Sequence, residues 1–377
     1  MNNQTFLAVL GRQAEISLAE LESLFGETKQ LSAELAEFPS PHGETPDLRR
    51  LGGVQKIAEP ITTDIQAFVK AWGADCPAGK IVLGVSDYTP GAKAFHTQGI
   101  ALKFKRTLTK LQRNVRVLPN STPIIASATS FHNHMWAPCH LELIKFRDNW
   151  YRVVAVQDIS AYAKRDWERP ARDAKVGMLP PKLAQILINL CGPLPAGTRL
   201  LDPFCGTGVV LQEAALMGYR PYGTDLSERM IEYSRRNLEW LGNQTELAPF
   251  TLAVGDATSF RWEPPIGAVA CEAFLGQPMS LPPAEIKLKQ EKQRCREILR
   301  EFLANLSEQI TSGTPVVIAI PAWLRPDGHY ERLNLLDDIE ELRYNVRSFK
   351  NNLGQNGLLY YREGQIVARE IIVLRKK

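Results

Sequence analysis

The apolar positions of this chain change their spacing along its length, and that change predicts its elements. Phe6–Leu10, Val82–Val85 and Tyr151–Val156 are short apolar runs that read as strands, whereas Leu18, Leu21 and Leu24 or Phe25 recur at helical spacing within Ser17–Phe25. Pro39–Pro46 is rich in proline, glycine and histidine and reads as a loop. The spacing predicts a helix over Ile100–Arg113, with Ile100, Phe104, Leu108 and Leu111 on its apolar side. Lys103, Arg106, Lys110 and Arg113 then fall at intervals of three, four and three, which puts four cations on one stripe. Pro180–Pro181 opens a further helix through Leu190, because proline is tolerated in a first turn and Leu183, Ile186, Leu187 and Leu190 share a face.

From Thr198 onward strands and helices alternate. Arg199–Pro203, Tyr219–Asp225, Phe250–Asp256, Ala268–Glu272 and Val316–Ile320 read as strands, with helical patterns near Val209–Met217, Ser227–Leu241 and Pro283–Thr311 between them. Such alternation implies a mostly parallel sheet covered on both faces. Leu358–Tyr361 and Val367–Leu374, separated by Glu363–Gly364, predict an antiparallel hairpin on one edge of it. Between the two regions, Ala161–Lys175 is a basic, aromatic-containing connector with Tyr162, Lys164, Arg165, Trp167, Arg169 and Arg172. The expected organisation is an N-terminal α+β region over 1–160, a connector over 161–180 and an α/β domain over 181–377.

Composition changes this picture little, and charge changes it more. At 44% hydrophobic and 23% charged residues the chain is that of an ordinary globular protein. Apolar runs such as Val316–Ile320 fall far short of the roughly 20 residues of a membrane helix, and Met1–Phe6 has no basic segment leading into an apolar stretch, so a cytoplasmic location and no membrane partner are expected. Residues 101–200 carry 16 basic against 6 acidic side chains, an excess of +10 within a chain whose net charge is +4. A local excess of that size is the footprint of a phosphate-backbone partner. Cys76, Cys139, Cys191, Cys205, Cys271 and Cys295 are scattered, and His132 and His134 have no acid or thiol at ligand spacing, so no metal site is expected.

The chemistry concentrates in Leu200-Leu201-Asp202-Pro203-Phe204-Cys205-Gly206-Thr207-Gly208. It lies between a strand and a helix, where glycines let the backbone approach a ligand at the strand carboxyl ends. An acidic residue would repel a pyrophosphate, so Asp202 ahead of the glycines favours a cationic or zwitterionic ligand such as S-adenosylmethionine. Asp225, followed by Leu226, ends the second strand where ribose hydroxyls would be met, and Asp256, followed by Ala257, ends the third where an adenine amino group would be. One strand-terminal aspartate is usually a turn or helix cap, but three on successive strands beside a glycine loop point to a site.

These residues resemble class I methyltransferases, and the Asp-Pro-Phe-Cys-Gly-Thr-Gly form is similar to that of enzymes methylating exocyclic amino groups of nucleobases. Stretches from Leu10-Gly11-Arg12 through Leu24, at Arg50–Val54, Lys103–Arg116, Gln157–Ile159, Arg165–Pro170 and Gly177–Leu190, and around Arg369-Glu370-Ile371, resemble the THUMP-domain tRNA guanine-N2 methyltransferases. The resemblance implies a Rossmann-like class I domain with a mostly parallel seven-stranded sheet, a THUMP-like RNA-binding region, S-adenosylmethionine as cofactor and tRNA as substrate. It also implies that Lys103, Arg106, Lys110 and Arg113, with Arg165 and Arg169 of the connector, meet phosphates. A guanine N2 inside a duplex must be extruded to be methylated.

Such enzymes carry Asp or Asn, two prolines and an aromatic residue after the fourth strand, whereas this chain has Ala270-Cys271-Glu272-Ala273-Phe274-Leu275-Gly276-Gln277-Pro278. Aligning Phe274 with the aromatic position puts Cys271 at the acid, and aligning Glu272 with the acid puts Leu275 at the ring. The expected assignment is Glu272 as acceptor for the amine's protons and Phe274 as the stacking residue. The competing readings are an adenine amino-methyltransferase acting on DNA or RNA, and an inactive RNA-binding protein that keeps the cofactor fold.

Overall fold

A computed structural model describes residues 4–173, 178–350 and 358–377. The last two residues of the basic connector, Ala174 and Lys175, and the Gly177 that begins one of the resembling stretches lie outside the described residues. The chain forms two compact units, the first from Met1–Ala14, Phe25–Arg49 and Val54–Ala161, the second from Glu15–Leu24, Arg50–Gly53 and Tyr162–Lys377.

The first unit is built on β1 (Gln4–Leu10), β2 (Lys29–Gln30), β3 (Leu35–Ser40), β4 (Val54–Ile61), β5 (Ile81–Asp87), β6 (Val115–Val117), β7 (His140–Phe146) and β8 (Asn149–Val156), in the order β2-β3-β1-β4-β8-β7-β5-β6. Pairing is antiparallel except where β5 runs parallel to β6 and β7. Pro39 and Ser40, expected in a loop, end β3, and the irregular segment begins only after them. In chain order the helices are α1 (Ala14–Phe25), α2 (Ile65–Asp75), α3 (Ala94–Lys110) and α4 (Ser127–His132). Val69 of α2 and Phe104 and Leu108 of α3 close over Leu83 and Leu143. Helix α3 stops at Lys110, and Gln112 takes φ +58°, so Arg113 leaves the stripe. Its guanidinium donates to the carbonyls of Cys76 and Pro77 and to the Cys76 sulfur. The stripe therefore holds three cations, Lys103, Arg106 and Lys110, all exposed.

The second unit follows α5 (Ile159–Trp167) with α6 (Pro181–Leu190), β9 (Arg199–Asp202), α7 (Val209–Leu216), β10 (Arg220–Asp225), α8 (Glu228–Gly242), β11 (Thr251–Val254), β12 (Ala268–Glu272), α9 (Glu285–Ser307), β13 (Pro315–Leu324), β14 (Tyr330–Arg332), β15 (Tyr344–Val346), β16 (Leu358–Tyr360) and β17 (Val367–Lys376). The sheet order is β11-β10-β9-β12-β13-β17-β15, with β14 on β13 and β16 on β17. Strands β9 to β13 are parallel, their near-continuous apolar sequences matching burial on both faces. This is the Rossmann-like sheet that the motifs implied. The C-terminal hairpin forms, but β17 runs antiparallel inside the sheet, beside β13 along Pro315–Trp323, while β15 and β16 share its other side. The chain leaves β9 toward β10 and β11, then returns to β12 on the opposite side. The carboxyl ends of β9 and β12 thus flank a topological switch point, where open α/β sheets bind ligands.

Residues Glu15–Leu24 and Arg50–Gly53, counted with the N-terminal region on sequence grounds, belong to the second unit. Their anchor is Glu20, which is wholly buried. Its Oε1 accepts from the Gly52 N–H at 2.9 Å and Asn189 Nδ2 at 2.7 Å, and its Oε2 from the Gly53 N–H at 2.8 Å. A Cβ on Gly52 would lie 2.2 Å from the Lys182 carbonyl oxygen, so only glycine admits this approach. Burial pushes the Glu20 carboxyl up to about 7, against the lowering pull of its three donors. Ionisation is thus penalised in the folded state, and this contribution to stability is lost as pH rises from the usual 4.5 through about 7. Glu20→Gln is expected to flatten that part of the pH dependence in chemical denaturation. Glu20→Ala, which strands three buried donors, is expected to cost about 3 kcal/mol or more.

Candidate cofactor and catalytic site

Three carboxylates end three neighbouring strands: Asp202 on β9, Asp225 on β10 and Glu272 on β12. Asp202 is 2% exposed, and its Oδ1 accepts from the Phe204 N–H at 3.1 Å. Burial first, then the charges of Asp225 and Glu272, hold the Asp202 carboxyl well above its ordinary range, against the lowering effect of the Phe204 N–H. Burial also raises Asp225, opposed by hydrogen bonds from Ser227 and Gly206. Glu272 is raised by burial and pulled back by Arg369, whose Nε donates to its Oε1 at 2.6 Å. Among the described residues no cation pairs with Asp202 or Asp225.

The glycine loop is fixed from both sides. The Gly206 N–H donates to Asp225 Oδ2 at 2.9 Å, and the Cys205 N–H to the Thr224 carbonyl at 3.0 Å. From α8, Ser234 Oγ donates to the Gly206 carbonyl and Asn237 Nδ2 to the Thr207 carbonyl, each at 2.8 Å. Asn237 also exchanges hydrogen bonds with both backbone groups of Ala171, tying the connector to the loop. Ser234 and Asn237 were missed in the sequence, although two polar residues three apart on the buried face of an amphipathic helix are a readable signal. Pro203 and Thr207 are buried in the loop, and the Cys205 thiol, raised by burial, packs with Leu211 and Ile231.

Other expected site residues fall differently. Asp256 is exposed, and its Oδ1 accepts from the Thr258 N–H and hydroxyl, as a turn cap does. Leu226 is 73% exposed beside Asp225, and Ala257 is buried in the core. Cys271 lies in that core, while Glu272 stands close enough to Asp202 for its charge to act on it. Phe274 packs partly against the same core, with the Arg294 guanidinium 5.0 Å from its ring centroid. Arg165 and Arg169 turn inward. Arg165 forms an ion pair with Glu213 at 2.6 Å, and Arg169 is 2% exposed. Among the described residues the exposed cations of the connector are Lys164 and Arg172, the latter 4.9 Å from the ring centroid of exposed Trp167.

Residues 169–322 match the family model described as UPF0020, RMKL-like, methyltransferase domain. A tRNA (guanine(10)-N2)-dimethyltransferase of Methanothermobacter thermautotrophicus is 34% identical over 148 residues, covering 39% of this chain and 40% of that protein. One from Pyrococcus abyssi is 38% identical over 107 residues, covering 28% and 30%. The chain thus spans less than half the length of these curated relatives. The crystal structure of TrmN from Thermus thermophilus aligns over 99% of this chain and 100% of its own, with 16% identity and a TM-score of 0.48. The expected resemblance to tRNA guanine-N2 methyltransferases is met by these relatives, and that to a methyltransferase domain by residues 169–322.

Gly208 begins α7 at φ +80°, and a Cβ there would lie 2.8 Å from Ser234 Oγ, whereas Gly218 at φ +81° faces open space. Gly218→Ala is expected to cost about 1–2 kcal/mol, the left-handed penalty alone. Gly208→Ala should cost about 1–3 kcal/mol more through overpacking. Thermal unfolding of the two variants side by side measures the difference, and equal losses would show that the loop does not press on Ser234.

Proposed function

We propose that this protein is an S-adenosylmethionine-dependent methyltransferase that modifies guanine N2 in tRNA. One observation carries the reading: Asp202 and Asp225 are desolvated carboxylates at neighbouring strand ends, Asp202 raised further by the charge of Asp225, and neither has a cation among the described residues. A positively charged ligand relieves that arrangement, and an anionic one aggravates it. The match of residues 169–322 to a methyltransferase domain supports the same ligand. Asp202 and the Gly206–Gly208 backbone would hold the amino-acid end, and Asp225 the ribose. Asp256, Leu226 and Ala257 would border the adenine. Bound there, S-adenosylmethionine supplies an electrophilic methyl group on a sulfonium.

The chain's own part in the chemistry is positioning. Glu272 accepts a hydrogen bond from the exocyclic amine and orients its nitrogen lone pair. As the N–C bond forms and the S–C bond breaks, one amine proton is released, and Glu272, raised by burial, is placed to take it. Phe274 would present its free face to the extruded base. We assign RNA binding to the first unit as a THUMP-like region, with the exposed Lys103, Arg106 and Lys110 on α3 beside Lys105, and with Lys164 and Arg172 in the connector. These groups read backbone, not sequence. Such an enzyme works where its tRNA is, in the cytoplasm, and no described helix is long and apolar enough to cross a membrane.

Calorimetry with S-adenosylmethionine, then labelled-methyl transfer to bulk tRNA and digestion to nucleosides, tests the reading. The expected product is N2-methylguanosine. Methyladenosine would move the substrate to the adenine class, and cofactor binding without any transfer would leave an RNA-binding protein. Asp202→Ala is expected to abolish cofactor binding and leave tRNA binding intact. Cofactor affinity should tighten as pH rises through the elevated range of Asp202, because only the carboxylate attracts a cation, and Asp202→Asn should remove that slope.

A further inference from the structure

The connector carries one cation into the interior of the second unit and leaves it without an anion. Arg169 is 2% exposed, and neither its Nε nor its Nη1, both closed to solvent, has a hydrogen-bond partner among the described residues. Nη2 donates to the Met178 sulfur at 3.0 Å, and a thioether is a weak acceptor. Burial disfavours the charge, Asp166 opposes that effect without forming an ion pair among the described residues, and Arg172 adds to it. A guanidinium stays charged at any pH a protein meets, so it cannot escape burial by losing its proton. Arginines this deeply buried are otherwise paired, as Arg369 is with Glu272. Arg169 is thus the counterpart of Asp202, a desolvated charge whose opposite is missing.

Hydrogen bonds on either side of Arg169 fix its place. Downstream, both backbone groups of Ala171 bond to the Asn237 amide, whose Nδ2 also donates to the Thr207 carbonyl of the glycine loop. Upstream, Arg165 pairs with Glu213 of α7, the helix that this loop opens. Leu179, next to Met178, is buried in one cluster with Val209 and Val210 of that helix's first turn. The arginine therefore belongs to the wall of the loop at its Thr207 end, with Asp202 at the other. At 2% exposure it is out of reach of a nucleic-acid backbone, so its anion has to be small. The amino-acid end of S-adenosylmethionine brings one, since it carries a carboxylate beside its ammonium. Near Asp202 and Asp225 that carboxylate would be repelled unless a cation met it. We propose that Arg169 receives the carboxylate of the methyl donor, turning from the Met178 sulfur to its two oxygens, while Asp202 receives the ammonium. The fork of Nε and a terminal nitrogen matches the two oxygens of a carboxylate. The inference rests on the methyltransferase reading and adds to it the residue that holds the anionic half of the cofactor's amino-acid end.

Decarboxylated S-adenosylmethionine tests this, because it keeps the sulfonium, the ammonium and the nucleoside and lacks only the carboxylate. Calorimetry on the full chain is expected to show S-adenosylmethionine binding about 100-fold more tightly than this analogue, the scale of hydrogen bonds to charged groups. Arg169→Gln is expected to remove about that factor for S-adenosylmethionine and to leave the affinity for the analogue within about twofold. Arg169→Lys keeps the charge without the fork and should recover part of the difference. Asp202→Asn, by contrast, should weaken both ligands, since both bring the ammonium. Retained affinity for the analogue shows that a variant's pocket is intact, and Arg169→Lys carries the test if the glutamine variant does not fold. Equal affinity of the wild-type protein for the two ligands, or a loss in Arg169→Gln that is absent or common to both, overturns the inference and leaves the methyltransferase reading standing. Binding of neither ligand by the wild-type protein overturns both.

Discussion

The second unit is organised around a repulsion. Asp202, Asp225 and Glu272 stand at the tips of adjacent strands, where burial opposes the ionisation of all three and the charges of the other two further oppose that of Asp202. Nothing in the packing of a parallel sheet requires acids at those positions, and an isolated buried carboxylate costs several kcal/mol or shifts its pKa instead. Strain of this kind concentrates where a ligand is to bind, because the ligand then supplies the missing counter-charge. The surrounding structure has to hold the three side chains in place and leave the two aspartates unneutralised.

Two devices do so. The first is local: the Phe204, Gly206 and Ser227 N–H groups donate to Asp202 and Asp225, orienting their oxygens with partial charges instead of full ones. Gly206 is held in turn by Ser234 from α8, so the loop's shape depends on a helix well downstream. The second is topological. Because β17 inserts antiparallel beside β13, residues close to the end of the chain reach the same sheet edge as the tip of β12, and Arg369 meets Glu272 across 97 positions of sequence.

Much of this was legible in the sequence, for reasons that also explain what was not. The parallel strands were found because burial on both faces forces near-continuous apolar runs, as in β12 and β13. The glycine loop was found because positive φ at Gly206 and Gly208 demands glycine. The short strands β2, β6, β14 and β15 carry only two or three residues each, too few for any period to show. Charge was misread where partners are distant. Arg165 looks like a surface cation until Glu213, on a helix after the next strand, is brought against it, and Arg113 looks like a continuation of its stripe until Gln112 turns the backbone. Helical spacing correctly placed α1, but only the three donors gathered on Glu20 reveal that most of this helix packs in the second unit.

The division of counter-charges within the site separates two kinds of work. Glu272 has its cation built in, so its negative charge is supported whether or not a ligand is bound. Asp202 and Asp225 have no such partner among the described residues, and burial disfavours their ionised forms. Groups of one chemical type, driven apart by their surroundings, can then take different parts in one reaction. Had Arg369 reached Asp202 instead, the affinity for a positively charged ligand would be spent on an internal ion pair. The single arginine therefore sets Glu272 apart from the two aspartates, and it does so from a strand that the glycine loop never touches.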